Sequence, residues 1–179
     1  MLSADQVVFM MIDVQGKLAR TVSEAGEVLK NLEKLLRGTK LFDLPLIVTE
    51  QNPKGLGPTI PELQRFLNEA PPLEKTEFNA CANPAVVQKI RETGRNQILV
   101  CGIEAHVCVY QTAAGLMNMG CEVQVVADAV SSRAATNRRL ALDRMRDMGA
   151  AITTTEMALF ELMQAAEGEA FSEFIQIVK

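Results

Sequence analysis

Short apolar runs rich in β-branched residues alternate with longer stretches of helical period along most of this chain, and that alternation confines it to an α/β architecture. The runs are Gln6–Asp13 (QVVFMMID), Leu44–Glu50 (LPLIVTE), a short segment near Leu73, Gln97–Ile103 (QILVCGI), Glu122–Val130 (EVQVVADAV) and Ala150–Thr155 (AAITTT). QVVFMMI and QILVCGI are continuously apolar, the pattern of strands covered on both faces. Between the runs, Val28, Leu29, Leu32, Leu35, Leu36 and Phe42 recur at helical spacing. Asn83 followed by Pro84 predicts a helix start, with Val86, Val87 and Ile90 on its face and Gly94 at its end. Further helices are predicted at Glu62–Glu69, His106–Met119, Thr136–Met148 and Glu156–Gln164, and a Gly- and Pro-rich loop at Asn52–Pro61. The expectation is a single domain over residues 1–179, with a mostly parallel sheet and helices on both faces.

Composition narrows the function. The net charge is −4 with one histidine and no tryptophan, so neither a basic stripe nor an aromatic platform points to nucleic acid. No apolar run reaches 18 residues, and the N-terminus lacks a basic signal-type region, so a membrane is not expected as a partner. Four unevenly spaced cysteines fit reduced thiols and a cytoplasmic location.

In a parallel α/β sheet the functional site lies beyond the carboxyl ends of the strands. Three chemically distinct groups fall there. Asp13 ends the first run, Lys75 follows the segment near Leu73, and Cys108 lies five residues past Ile103, where the next helix begins. A thiol near a helix N-terminus is expected to have a lowered pKa, and the thiolate is the reactive form. A carboxylate can take the thiol proton, an ammonium can favour both anions, and backbone amides around Ile103 to Cys108 can receive an oxyanion. Cys101 and Cys121 read as core residues. His106 and Cys108 alone are too few ligands for a metal, and none is expected.

These residues resemble the isochorismatase-like cysteine hydrolases, over nearly the whole chain. The resemblance rests on DVQ (Asp13–Gln15), LEKTEF around Lys75, GIEAHVCV ending at Cys108–Val109, VADAVSSR (Val126–Arg133) and ITTTE (Ile152–Glu156). TEQNPKGLGPTIPEL (Thr49–Leu63) is similar to the isochorismatase-domain-containing subgroup. The resemblance implies a three-layer Rossmann-like fold with a six-stranded parallel sheet, no cofactor and homo-oligomerisation. It implies a triad in which Asp13 is the base, Lys75 its electrostatic partner and Cys108 the nucleophile. It also implies a non-proline cis peptide at Ile103–Glu104 that aims the Glu104 and Cys108 amides at an oxyanion. Nicotinamidases of that superfamily bind a metal after the second strand; TEQNPKGLG offers neither His nor Asp there. A small amide or related acyl compound is the expected substrate, with Thr49, Gln51, Phe78 and His106 as pocket walls. A binding module that keeps the fold without efficient turnover is the alternative. The apolar tail Phe171–Lys179 is expected to cover a neighbouring subunit or the chain's own sheet.

Overall fold

The computed structural model describes residues 1–67 and 70–179. The chain runs through β1 (Val7–Ile12), α1 (Leu18–Thr21), α2 (Ala25–Leu41), β2 (Leu46–Gln51), α3 (Pro53–Leu56), α4 (Pro61–Gln64), β3 (Leu73–Lys75) and α5 (Pro84–Glu92). It continues through β4 (Gln97–Ile103), a π-type turn at Ala105–Val109, α6 (Tyr110–Asn118), β5 (Glu122–Ser131), α7 (Ala135–Asp147), β6 (Ala151–Thr153), α8 (Thr155–Met163) and α9 (Glu169–Val178).

All strands are parallel, in the order β3-β2-β1-β4-β5-β6. β1 and β4 lie at the centre and are apolar because both faces are covered. Val7, Phe9 and Met11 face one layer, formed mainly by α2, α8 and α9. Val8, Met10 and Ile12 face the other, formed by α5, α6 and α7. The edge strands β3 and β6 are each three residues long, which limits the unpaired edge available to another chain.

The chain order reverses direction between β1 and β4, and there the sheet is drawn tight. Gly102 sits at φ 116°, opposite Ile12, and a Cβ on it would lie 2.1 Å from the Ile12 carbonyl oxygen. The β4–β5 register shifts at the same point. Only glycine meets both demands.

Side-chain hydrogen bonds close several boundaries, among them the helix start expected at Asn83. Asn83 caps α5 by accepting from Ala85 N at 3.0 Å. Thr154 caps α8, accepting from Met157 N at 3.2 Å. Asp128, within VADAV, accepts from Thr155 N (2.8 Å) and Thr155 Oγ1 (2.9 Å), so it ties β5 to the start of α8.

Three expectations need correction. The helix expected at Glu62–Glu69 is confined to Pro61–Gln64, and its last two positions, Asn68 and Glu69, lie outside the described residues. The loop at Asn52–Pro61 contains the single turn α3. Cys121 is only half-buried, because it follows Gly120 at the rim of the sheet. Of the two arrangements expected for the tail, the intramolecular one is found: it forms α9 and packs on its own domain, against α2 and α8. Phe174 is fully buried there, with ring centroids 4.8 Å from Phe160, 6.2 Å from Phe171 and 6.3 Å from Phe42.

Candidate active site

Asp13 leaves β1 in the left-handed region, at φ 54°. That turn aims its carboxylate across the carboxyl ends of β2 and β3. Oδ2 receives the Lys75 ammonium at 2.6 Å, and Oδ1 receives the Thr49 hydroxyl at 2.7 Å. The side chains of Lys75 and Asp13 are 0% and 2% exposed, so the ion pair is withdrawn from water. Two buried charges are tolerable only when paired and hydrogen-bonded, and here they are.

Lys75 donates further to Gln51 Oε1 at 2.8 Å and to the Glu77 carbonyl at 3.2 Å. Gln51 in turn donates from Nε2 to the Thr76 carbonyl at 2.7 Å. Gln15 grips the same strand end: its Oε1 accepts from Gln51 N at 2.7 Å, and its Nε2 donates to the carbonyls of Gly57 (2.7 Å) and Gln51 (3.2 Å). Below it, Glu50 Oε1 accepts from both Thr59 N (2.6 Å) and Thr59 Oγ1 (2.7 Å) and so fixes the loop after α3.

Cys108 enters from the opposite side, inside the π-type turn that opens the helix after β4. In that turn the Glu104 carbonyl accepts from Val107 N (3.0 Å) and Val109 N (3.3 Å). The Ile103–Glu104 peptide is cis, as the resemblance implies. Ile103 is buried at the end of β4. The Glu104 N–H makes no hydrogen bond to a protein group among the described residues. The Glu104 side chain turns away from the thiol, its Oε1 accepting from Arg133 N (2.9 Å) and Arg133 Nε (3.1 Å). Burial opposes its ionisation, but the Arg133 amide and guanidinium outweigh burial and hold the carboxyl below its usual range.

The thiol departs from the sequence expectation. A lowered pKa was expected from the helix N-terminus. Cys108 is instead pushed up to about 12, first by burial and next by the Asp13 carboxylate, with the Lys75 ammonium opposing. It is 6% exposed, and burial disfavours its anion. The resting site therefore holds a neutral thiol facing an ion pair.

The four expected pocket walls fare differently. Thr49 is fully buried and serves as a donor to Asp13, so it lies beneath the site. Gln51 is bonded to Lys75. His106 is half-buried, with Nδ1 2.9 Å from Ser132 Oγ and Nε2 3.4 Å from Asn137 Nδ2. Phe78 is 53% exposed beyond β3. Two hollows lie away from this cluster, one over α5 around Cys81 and one bounded by Leu36, Leu46 and Phe66. Among the described residues, no three His, Cys, Asp or Glu side chains are grouped to hold a metal ion. No helix among the described residues is long and apolar enough to cross a membrane.

Sequence reasoning assigned no role to Gln15, although it stands in the DVQ motif, nor to Arg133, Ser132 or Asn137. Their roles depend on partners 26 to 36 positions away, which no spacing rule reveals.

Residues 7–157 match the model of the isochorismatase domain family. The chain is 39% identical to isochorismatase domain-containing protein 2 of Danio rerio, over 99% of this chain and 89% of that protein. Among solved structures, it is similar to the MAR1 ribonuclease from Caenorhabditis elegans, with 34% identity and a TM-score of 0.93 over 99% of this chain and 91% of that one. It is also similar to the YcaC gene product of Escherichia coli, described as an octameric hydrolase of unknown specificity. That likeness has 27% identity and a TM-score of 0.93, over 98% of this chain and 89% of that one.

Proposed function

Because the chain belongs to the isochorismatase family, we propose that it is a metal-independent hydrolase of a small amide or related acyl compound, acting through a thioester on Cys108. The observation that carries this reading is the convergence of Asp13, Lys75 and Cys108, from three separate strand ends, on one buried point.

The neutral thiol sets the order of events. Asp13 takes the Cys108 proton as sulfur attacks the acyl carbon, so charge moves from carboxylate to the substrate oxygen and no free thiolate accumulates. Lys75 stays paired with the Asp13 carboxylate until that moment. The amides of Glu104 and Cys108 hold the tetrahedral oxyanion. The C–N bond then breaks, and the proton on Asp13 passes to the leaving nitrogen. Water, deprotonated by Asp13, attacks the thioester; the C–S bond breaks, and the proton returns to sulfur. No step requires a cofactor.

A second reading also draws on an observation: a buried neutral thiol suits a binding module without turnover equally well. The experiment that separates them incubates the protein with a panel of small amides and looks by mass spectrometry for an acyl adduct on Cys108. Trapped adduct with turnover supports the hydrolase; full turnover by Cys108→Ala removes the covalent mechanism. RNA included in the panel tests whether the activity named for the nematode relative extends to this chain. The octamer described for the Escherichia coli relative supports a homo-oligomer here as well. Sedimentation of the full chain tests it, and a monomer at micromolar concentration would exclude it.

A further inference from the structure

We infer that Gln51, clamped by Gln15, is a positioning residue that holds the Lys75 ammonium against Asp13. This rests on the triad reading above. An ammonium has three donors and no acceptor. All three donors of Lys75 are engaged, by Asp13 Oδ2, Gln51 Oε1 and the Glu77 carbonyl. None is left for a substrate, so Lys75 acts on the reaction through Asp13 and through its charge beside Cys108.

Of its acceptors, Asp13 is the group to be tuned and the Glu77 carbonyl makes the longest contact, at 3.2 Å. Gln51 is the neutral acceptor that draws the ammonium toward the end of β2 without competing for its charge. Its own orientation is fixed on each side. Nε2 is tied to the Thr76 carbonyl, which leaves Oε1 facing Lys75 and settles which way the amide points. Its backbone N–H and C=O are both taken by the Gln15 side chain, which is 0% exposed. A carboxylate at position 51 would split the ammonium between two anions, and an apolar side chain would leave one donor unpaired.

The charged and titratable groups around this ammonium come from several elements. Asp13 follows β1, Cys108 belongs to the turn after β4, and Glu77 follows β3. Glu50 on β2 is turned toward Thr59.

The experiment uses acrylamide, a small amide-bearing electrophile, and reads its addition to Cys108 by mass spectrometry from pH 4 to 9. The addition requires no turnover. In the wild type, the rate should fall on the acid side. In Gln51→Glu, that acid limb should move up by roughly one pH unit, a tenfold loss at a pH on the limb. In Gln51→Met, the rate above the limb should fall roughly tenfold, the size of one lost hydrogen bond to a charged group. Wild-type limb and rate in both Gln51 variants, or in Gln51→Glu a loss that is parallel at every pH together with a lowered melting temperature, would overturn the positioning role. If Asp13→Asn reacts as fast as wild type, the triad reading fails, and this inference fails with it. If Asp13→Asn is slow while the Gln51 variants match wild type, the inference alone fails.

Discussion

Lys75 Nζ lies 2.6 Å from Asp13 Oδ2, with both side chains out of contact with water. β3 is a three-residue edge strand and β1 a central one, so the pair is set up by the sheet order and spans 62 positions of sequence. Breaking a buried pair costs more than deleting it, because one charge remains with no partner. Lys75→Met should therefore destabilise the fold by about 3–5 kcal/mol. The double variant Asp13→Asn/Lys75→Met should recover much of that loss while remaining inactive. Urea denaturation of the single and double variants beside activity checks both halves.

Thr49 donates to the other oxygen of Asp13 from a fully buried position. Thr49→Val keeps the shape and removes the donor. It should cost about 1–3 kcal/mol of stability and slow Cys108 modification, because the Asp13 carboxylate loses one of its hydrogen-bond donors. Denaturant midpoints and the rate of labelling measure the two effects separately.

Cys108 ties stability to alkaline pH. Its folded pKa is pushed up to about 12 from an ordinary 9.0, so the folded state keeps a proton that the unfolded state loses. The contribution is fully present below pH 9 and is lost as pH rises from there toward 12. Cys108→Ala should show a shallower fall in melting temperature across that window than wild type, whereas the two should run parallel at neutral pH. A steeper fall in the alanine variant would contradict the raised thiol.

Gly102 holds the seam beside the site. Gly102→Ala places a Cβ 2.1 Å from a backbone oxygen at a φ of 116°. Neither strand can give way without breaking the β1–β4 ladder. A loss of about 3 kcal/mol or more is expected, together with loss of Cys108 reactivity, because the turn that carries Cys108 starts three residues on. Thermal melts and labelling at 25 °C test it.

Phe174 decides what the tail does. Phe174→Ala should cost about 3–5 kcal/mol, because a fully buried ring with three aromatic neighbours is removed. Its sedimentation behaviour should be unchanged, since the ring packs within its own domain. An unaltered stability with a smaller sedimenting mass would instead place that ring in an interface.

The strands, most helices and the α/β class were legible in the sequence because they follow from local physics. A continuous apolar run must be covered on both faces, and Asn83-Pro84 or Gly120 punctuates the backbone by its own conformational limits. Asp13, Lys75 and Cys108 were legible as reactive types at strand ends, since a parallel sheet sends those ends to one side. The rest required the third dimension. Which strands adjoin, and hence that β3 delivers Lys75 to β1, depends on sheet order. That Gln15 and Gln51 form one clamp, and that Thr49 donates to Asp13 where a pocket wall was expected, depends on contacts across 36 positions. The thiol shows the division most clearly. Its place at the opening of a helix can be read from the chain and argues for an acidic thiol. Burial and the neighbouring carboxylate, which exist only once the sheet has closed, reverse the sign.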